Sequence, residues 1–208
     1  MTMVAKPADG PHELPPSYGS SRQPQEPSTN AVAEPSECER ITLSDGRVLV
    51  LREIYAGDVA ALQRGFASLS PEEVRMRFLH PMTELPEEFA TQLCDLDPAS
   101  SIALVLVDPP GTPEREIRAV ARAYIDPTTL SAEFALVVQR QFTGQGIGTR
   151  LMKHLIDACR ARGAVEIWGD VLLENGAMLA LCLELGFVRH AMFHDPGMVQ
   201  LRMPLTPG

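Results

Sequence analysis

Three glycines at alternate positions, Gly144, Gly146 and Gly148, sit in the stretch Gln141-Phe-Thr-Gly-Gln-Gly-Ile-Gly-Thr149. Glycine lets a backbone come close to a partner, and the first turn of a helix carries amides that no residue of the helix can satisfy. Together they form a site for a pyrophosphate or a similar anion. The stretch follows an apolar run at 132–138 and opens an amphipathic run that reaches about Arg162. One acid, Glu133, stands inside the apolar run. Strand alternation puts it with Ala135 and Val137 on one face, and Phe134, Leu136 and Val138 on the other. A carboxylate in a two-sided apolar strand needs a partner or carries a raised pKa. A raised pKa suits a general base near neutral pH. An ion pair with Arg118 or Arg122 on the adjacent strand is the structural alternative.

Two phosphate loops can be tested against the glycines. A P-loop needs Gly-Lys-Ser/Thr after four residues, and no lysine follows here. A dinucleotide loop needs GxGxxG. Counted from Gly144 or Gly146, its third glycine would fall on Thr149 or Leu151. The polar spacer 139–143 also parts strand from loop. A dinucleotide site and a loop whose glycines serve packing alone stay behind a third reading, given below.

The elements that must position these residues follow from patterning. Segments 41–43 and 47–54 flank Ser44-Asp-Gly46, a hairpin signal. Asp58 is expected to cap a helix at 59–69. Ser70-Pro-Glu-Glu73 opens a second helix with a cap, a first-turn proline and acids at the positive end. Pro86-Glu-Glu88 opens a third, to about Asp95. Residues 102–107 and 116–125 read as paired strands, with Ile117, Ala119, Ala121 and Ala123 facing away from Arg118 and Arg122. From Gly146 the apolar positions Ile147, Leu151, Leu155 and Ala158 recur at helical spacing, and Gly163 ends the helix. A strand at 165–172, a helix at 177–185 ended by Gly186, and strands at 187–190 and 198–203 complete the chain. The pattern predicts a mixed α/β (α+β) fold: a mostly antiparallel sheet with helices on both faces.

Composition narrows the function classes. Of 208 residues, 45% are hydrophobic, enough for one core, and the net charge of −9 argues against nucleic-acid binding while favouring a cationic substrate. Cys38, Cys94, Cys159 and Cys182 form no CxxC pair, and no histidines have metal spacing, so neither a disulfide framework nor a metal is expected. No apolar run reaches the roughly 20 residues of a membrane span. A cytoplasmic protein is the expectation. Residues 1–38 are rich in Pro, Ser, Gly and Glu and are expected to be a disordered tail, with one folded domain at 39–208.

The sequence Thr143-Gly-Gln-Gly-Ile-Gly148 resembles the acyl-CoA loop of the GNAT N-acetyltransferase superfamily, Arg/Gln-x-x-Gly-x-Gly/Ala, with Thr143 in place of the leading Arg/Gln. The second family motif is similar to Asn175 followed by a helix ending Leu185-Gly-Phe187. Leu69-Ser-Pro-Glu-Glu-Val-Arg-Met-Arg-Phe78, Ser131-Ala-Glu-Phe-Ala-Leu-Val-Val138 and Gly169-Asp-Val-Leu-Leu-Glu-Asn175 resemble the acetyltransferase domain of bacterial Pat-type protein-lysine acetyltransferases. The match spans 41–189.

The resemblance implies acetyl-CoA as co-substrate and direct attack of an amine on its thioester. Glu133 matches the family's general base. Thr143, Gly144, Gln145, Gly146, Ile147, Gly148 and Thr149 match the pyrophosphate loop. Val137 and Val138 match the strand that offers backbone groups to the pantetheine arm, and Asn175 a further contact to it. Asn175 also reads as a helix cap. Many relatives place a tyrosine proton donor seven residues after the asparagine, where this chain has Cys182. The expected acceptor is a protein lysine, an acyl-CoA synthetase being one candidate. A small amine or amino acid is the alternative, and a non-catalytic acyl-CoA sensor module the alternative from another class. His190 and His194 are expected at the surface and His80 in a loop.

Overall fold

The first hairpin turns at Gly46, whose φ of +85° suits glycine. It joins β1 (Glu39–Thr42) to β2 (Val48–Glu53). The structure, a computed structural model, describes residues 39–79, 81–113, 115–192 and 194–205. The expected tail, with Cys38, and His80 lie outside the described residues.

Three helices follow: α1 (Val59–Ala67), α2 (Pro71–Phe78) and α3 (Glu87–Cys94). At α2 the expected start is present in full. The Ser70 hydroxyl accepts the Glu73 amide at 3.2 Å, and the Glu73 carboxylate accepts the Ser70 amide at 2.8 Å. At α1 the expectation is corrected. Asp58 does not cap the helix. Its carboxylate is 4% exposed and takes both ends of the Arg52 guanidinium, at 2.6 and 2.7 Å. It also accepts the Tyr55 amide, capping the short 3-10 turn at Ala56–Asp58. A buried guanidinium on β2 outcompetes a helix amide for the acid, because its charge has no water to turn to.

The rest of the sheet comprises β3 (Ser101–Val107), β4 (Ile117–Ile125), β5 (Ser131–Val138), β6 (Glu166–Leu172), β7 (Val188–Ala191) and β8 (Met198–Pro204). The eight strands run in the order β1-β2-β3-β4-β5-β6-β8-β7. Every pairing is antiparallel except β5 with β6. That parallel pair requires a crossover, supplied by α4 (Ile147–Ala161). Gly163 closes α4 at φ +78°, and α5 (Gly176–Glu184) precedes Gly186 at φ +97°.

Two cores result. Phe134, Leu136 and Val138 face α4 and α5, joining Leu151, Met152, Leu155, Met178 and Cys182. Val105, Val120 and partly buried Val137 face α1–α3, joining Leu62, Phe66, Val74 and Ala90. The β4 pattern needs one correction. Leu106 pairs with Ala119 but Val107 pairs with Ile117, so Arg118 is the extra residue of a bulge. Ile117 therefore turns to the α1–α3 core, away from Ala119, Ala121 and Ala123.

Asp58→Ala is expected to destabilise the protein by about 3–5 kcal/mol, the scale for removing one member of a buried pair. Urea unfolding checks this, and the Arg52→Met/Asp58→Leu double variant should recover most of the loss.

Candidate active site

The glycine loop builds an open end to α4. Gly144 and Gly146 adopt φ of +75° and +73°, and a Cβ at either would meet no atom within 4 Å. Gly148 does not have a positive φ; it lies in the first turn of α4, so only two of the three glycines are left-handed. Gly146 is the N-cap and offers no side chain to the helix. The first intrahelical bond runs from the Arg150 amide to the Gly146 carbonyl, at 3.0 Å. The amides of Ile147, Gly148 and Thr149 precede it, and no acid occupies the first turn. A helix end with unpaired amides, no local carboxylate and open space beside two glycines suits an anion. The spacer before it is not irregular. Arg140–Phe142 forms a 3-10 turn that buries Phe142 and leaves Thr143 exposed.

The fold brings the two motifs together. Thr143 and Gly144 share an open groove of about 520 Å³ with Asn175, Gly176 and Ala177. Met76 of α2 and Arg140 of the 3-10 turn complete its walls, with Glu72, Glu73 and Glu174. Arg75 of α2 forms an ion pair with Glu174. Asn175 is 3% exposed, and its Oδ1 accepts the Met178 amide at 3.2 Å, so the cap reading holds. The Gln145 Oε1 atom is buried without a hydrogen-bond partner among the described residues.

Glu133 stands where the parallel pair ends. β5 and β6 are in register at Ser131–Glu166, Ala132–Ile167 and Glu133–Trp168, and no pairing follows. Beyond that point Phe134–Val138 continues on β4 alone, while Gly169–Leu172 continues on β8 alone. The two strands part into a gap whose sides are main chain, with Val137 and Val138 at the far end of β5.

Glu133 is half-buried on the face covered by α1–α3. Its cross-strand neighbours are Tyr124, 49% exposed, and Trp168, so a tyrosine and the single tryptophan flank the carboxylate. Arg202 continues the row, its guanidinium 6.0 Å from the Trp168 ring. Arg118, one of the two alternative ion-pair partners, is engaged elsewhere. The Asp108 carboxylate accepts Arg118 Nε and Nη2 at 3.0 and 2.8 Å, and Glu116 pairs with the same guanidinium. Arg122 donates to the Leu93 carbonyl, and Arg77 of α2 stands within electrostatic reach of Glu133. Strand alternation found the face of Glu133. It did not find Tyr124, Trp168 or Arg77, which come from pairing registers and helix packing.

Cys182 is fully buried, with Sγ 3.7 Å from Met178 Sδ. Burial pushes its thiol up to about 12, which makes it a poor proton donor. His190 lies on the exposed strand β7, and His194 is exposed. Among the described residues no cluster of His, Cys, Asp and Glu could hold a metal, and no helix is long and apolar enough to cross a membrane.

The family model described as acetyltransferase (GNAT) family matches residues 66–187. This chain belongs to that family. It is an acyltransferase, and the family reaction is acetyl-CoA-dependent N-acetylation. Over 147 residues it is 30% identical to the acetyltransferase PA5475 of Pseudomonas aeruginosa, covering 71% of this chain and 78% of that protein. Its fold is similar to the GNAT domain of S. lividans PAT (TM-score 0.72, 23% identity), covering 83% of this chain and all of that domain. It is also similar to spermidine N-acetyltransferase from Vibrio cholerae, solved in complex with CoA and spermine (TM-score 0.59, 16% identity, 76% and 96% covered).

Gly146→Val is expected to abolish acetyl-CoA binding by calorimetry while circular dichroism stays native. The side chain enters the open space and strains a left-handed residue. Unchanged affinity in a folded variant would remove the loop from the site. Cys182→Ala is expected to keep most of the turnover, because the thiol only packs. A loss of kcat beyond about a hundredfold, the scale of general-acid removal, would make the thiol a proton donor.

Proposed function

We propose that the chain acetylates a protein lysine side chain, with Glu133 as general base. The observation that carries this reading is the position of Glu133 at the point where β5 and β6 part. An acyl group whose carrier lies in the gap ends beside that carboxylate.

Acetyl-CoA supplies the activated acyl thioester. The residues present suit it. Gly144 and Gly146 leave space for a pyrophosphate, and Gln145, Ile147, Gly148 and Thr149 belong to the turn that would hold it, with Thr143 and Arg140 at its rim. The unpaired edge at Val137 and Val138 offers main-chain groups for the two amides of the pantetheine arm, and Asn175 lines the same groove.

Acceptor chemistry falls to the Glu133 face. The ammonium of a lysine must lose a proton before its nitrogen can attack. Glu133 takes that proton, directly or through one water. Tyr124 and Trp168, on either side, give aromatic surface to an aliphatic stem and a ring face to its cation. The net charge of −9 favours the approach of a cationic acceptor. A lysine on an acyl-CoA synthetase is one such acceptor. The resemblance of 69–78, 131–138 and 169–175 to Pat-type sequences supports a protein acceptor over a small amine. Leaving-group protonation is not assigned to a side chain, since Cys182 is buried and holds its proton.

Glu133→Gln is expected to lower kcat by about 10²–10⁴-fold with acetyl-CoA affinity unchanged. Its residual rate should climb with pH, as the free amine comes to need no base. A folded variant with normal turnover would put the base elsewhere. Incubation with labelled acetyl-CoA and a cell lysate, followed by mass spectrometry, tests the acceptor. Label on lysine Nζ supports the proposal, and label only on small amines contradicts it.

A further inference from the structure

The three helices over the Glu133 face do not fill the space beneath them. Between α1, α2, α3 and strands β4 and β5 lies a cavity of about 50 Å³ that opens in part to solvent. Its walls are largely apolar, with Leu62, Phe66, Leu85, Leu93, Val120 and Val137 among them. Three arginines also line it: Arg77, Arg122 and Arg118, the last already held by Asp108 and Glu116.

Arg77 is only 7% exposed. Among the described residues its guanidinium makes no hydrogen bond and has no carboxylate at ion-pair distance; it lies 4.8 Å from the centroid of the Phe78 ring. Arg122 sits on the same face and spends one nitrogen on the Leu93 carbonyl. The fold treats the other buried arginine among the described residues differently: Arg52 is held bidentate by Asp58, as partly buried Arg118 is by Asp108. Leaving one guanidinium uncompensated beside another is costly. Burial, and next the charge of Arg122, pulls Arg77 down to about 9, with Glu133 offsetting part of this. Burial pulls Arg122 down to about 10. Both remain charged at neutral pH. A planar fork that lacks its carboxylate, at the wall of an apolar space, defines what is missing.

We propose that this cavity is a second ligand site, which binds a small carboxylate with a slim apolar body. The carboxylate sits on the Arg77 guanidinium with Arg122 alongside, and the apolar body lies among Leu62, Phe66, Leu85 and Leu93. The cavity shares Val137 with the strand edge assigned to acyl-CoA but no residue with the groove beside the glycine loop, and it does not depend on which amine is the acceptor. Because Arg77 acts electrostatically on Glu133, occupancy screens that cation from the base.

The test is thermal unfolding of the full chain titrated with sodium butyrate, against sodium chloride at equal ionic strength and 1-butanol as the uncharged analogue. The expected result is a saturable rise in Tm with butyrate alone, retained at saturating CoA. Arg77→Met should melt higher than the wild type without ligand, since an unpaired buried cation is removed, and should bind butyrate at least tenfold more weakly. Arg122→Gln should weaken butyrate without abolishing it. No response to butyrate, an equal response to butanol, or an equal response in Arg77→Met would each overturn the site. A shift that CoA displaces and Arg77→Met leaves unchanged would move butyrate to the glycine loop and overturn it too. An Arg77→Met variant that cannot fold would contradict the premise that this charge is uncompensated.

Discussion

Two parallel strands that pair for three residues and then part leave main-chain donors and acceptors facing a gap. Such groups cannot stay unsatisfied inside a protein, so a ligand, water or another chain must meet them. Here the parting follows Glu133 and Trp168. Strand β5 is kept straight by its full pairing with β4, and β6 by its pairing with β8. The gap is therefore a property of the whole sheet, with each edge anchored on its far side. The crossover helix α4 starts at the open end of β5, so its uncapped amides lie near the far mouth. One topological choice, a βαβ crossover inside an antiparallel sheet, thus supplies the gap, the uncapped first turn of α4 and the carboxylate at the vertex.

Charge is distributed to match. Two of the arginines packed into the sheet are neutralised within the fold: Arg52 by Asp58, and Arg118 by Asp108 and Glu116. These pairs fix β2 to the turn before α1 and lock the bulged end of β4. The groove near the glycine loop has no acid in the first turn of α4, and its carboxylates come from α2 and from the turn before α5. Glu73 is committed to its capping box, and Glu174 to Arg75. Arg77 stands apart from this pattern, as a buried charge beside the face that carries Glu133.

Much of this was legible in the sequence, where local chemistry decides local structure. Ser70, Pro71 and Glu73 announce α2, because a cap, a proline and an acid each meet a separate need of a helix start. Gly144 and Gly146 announce a left-handed loop. Alternation in β5 separates Glu133 from Phe134, since a one-residue slip would bury the acid in the larger core. What was not legible depends on distant partners. Asp58 has every attribute of a cap, and only the arrival of Arg52 from β2 diverts it. The bulge at Arg118 lies in the register between two strands, so it reverses Ile117 without any mark in β4 itself. Gly148 reads like its two neighbours, yet the helix has already begun there. Tyr124 and Trp168 lie 44 positions apart in sequence and meet across Glu133 only through two pairings, one antiparallel and one parallel.

The central claim is that the gap between β5 and β6, together with the first turn of α4, receives acyl-CoA. Backbone hydrogen exchange with and without CoA tests it most directly, because it reads the amides themselves. With acyl-CoA in the gap, added protection is confined to residues 134–138 and 144–149 and to the groove around Asn175, with β1, β2 and β7 unchanged. Protection elsewhere, with 134–138 and 144–149 exchanging as fast as in the free protein, would contradict it.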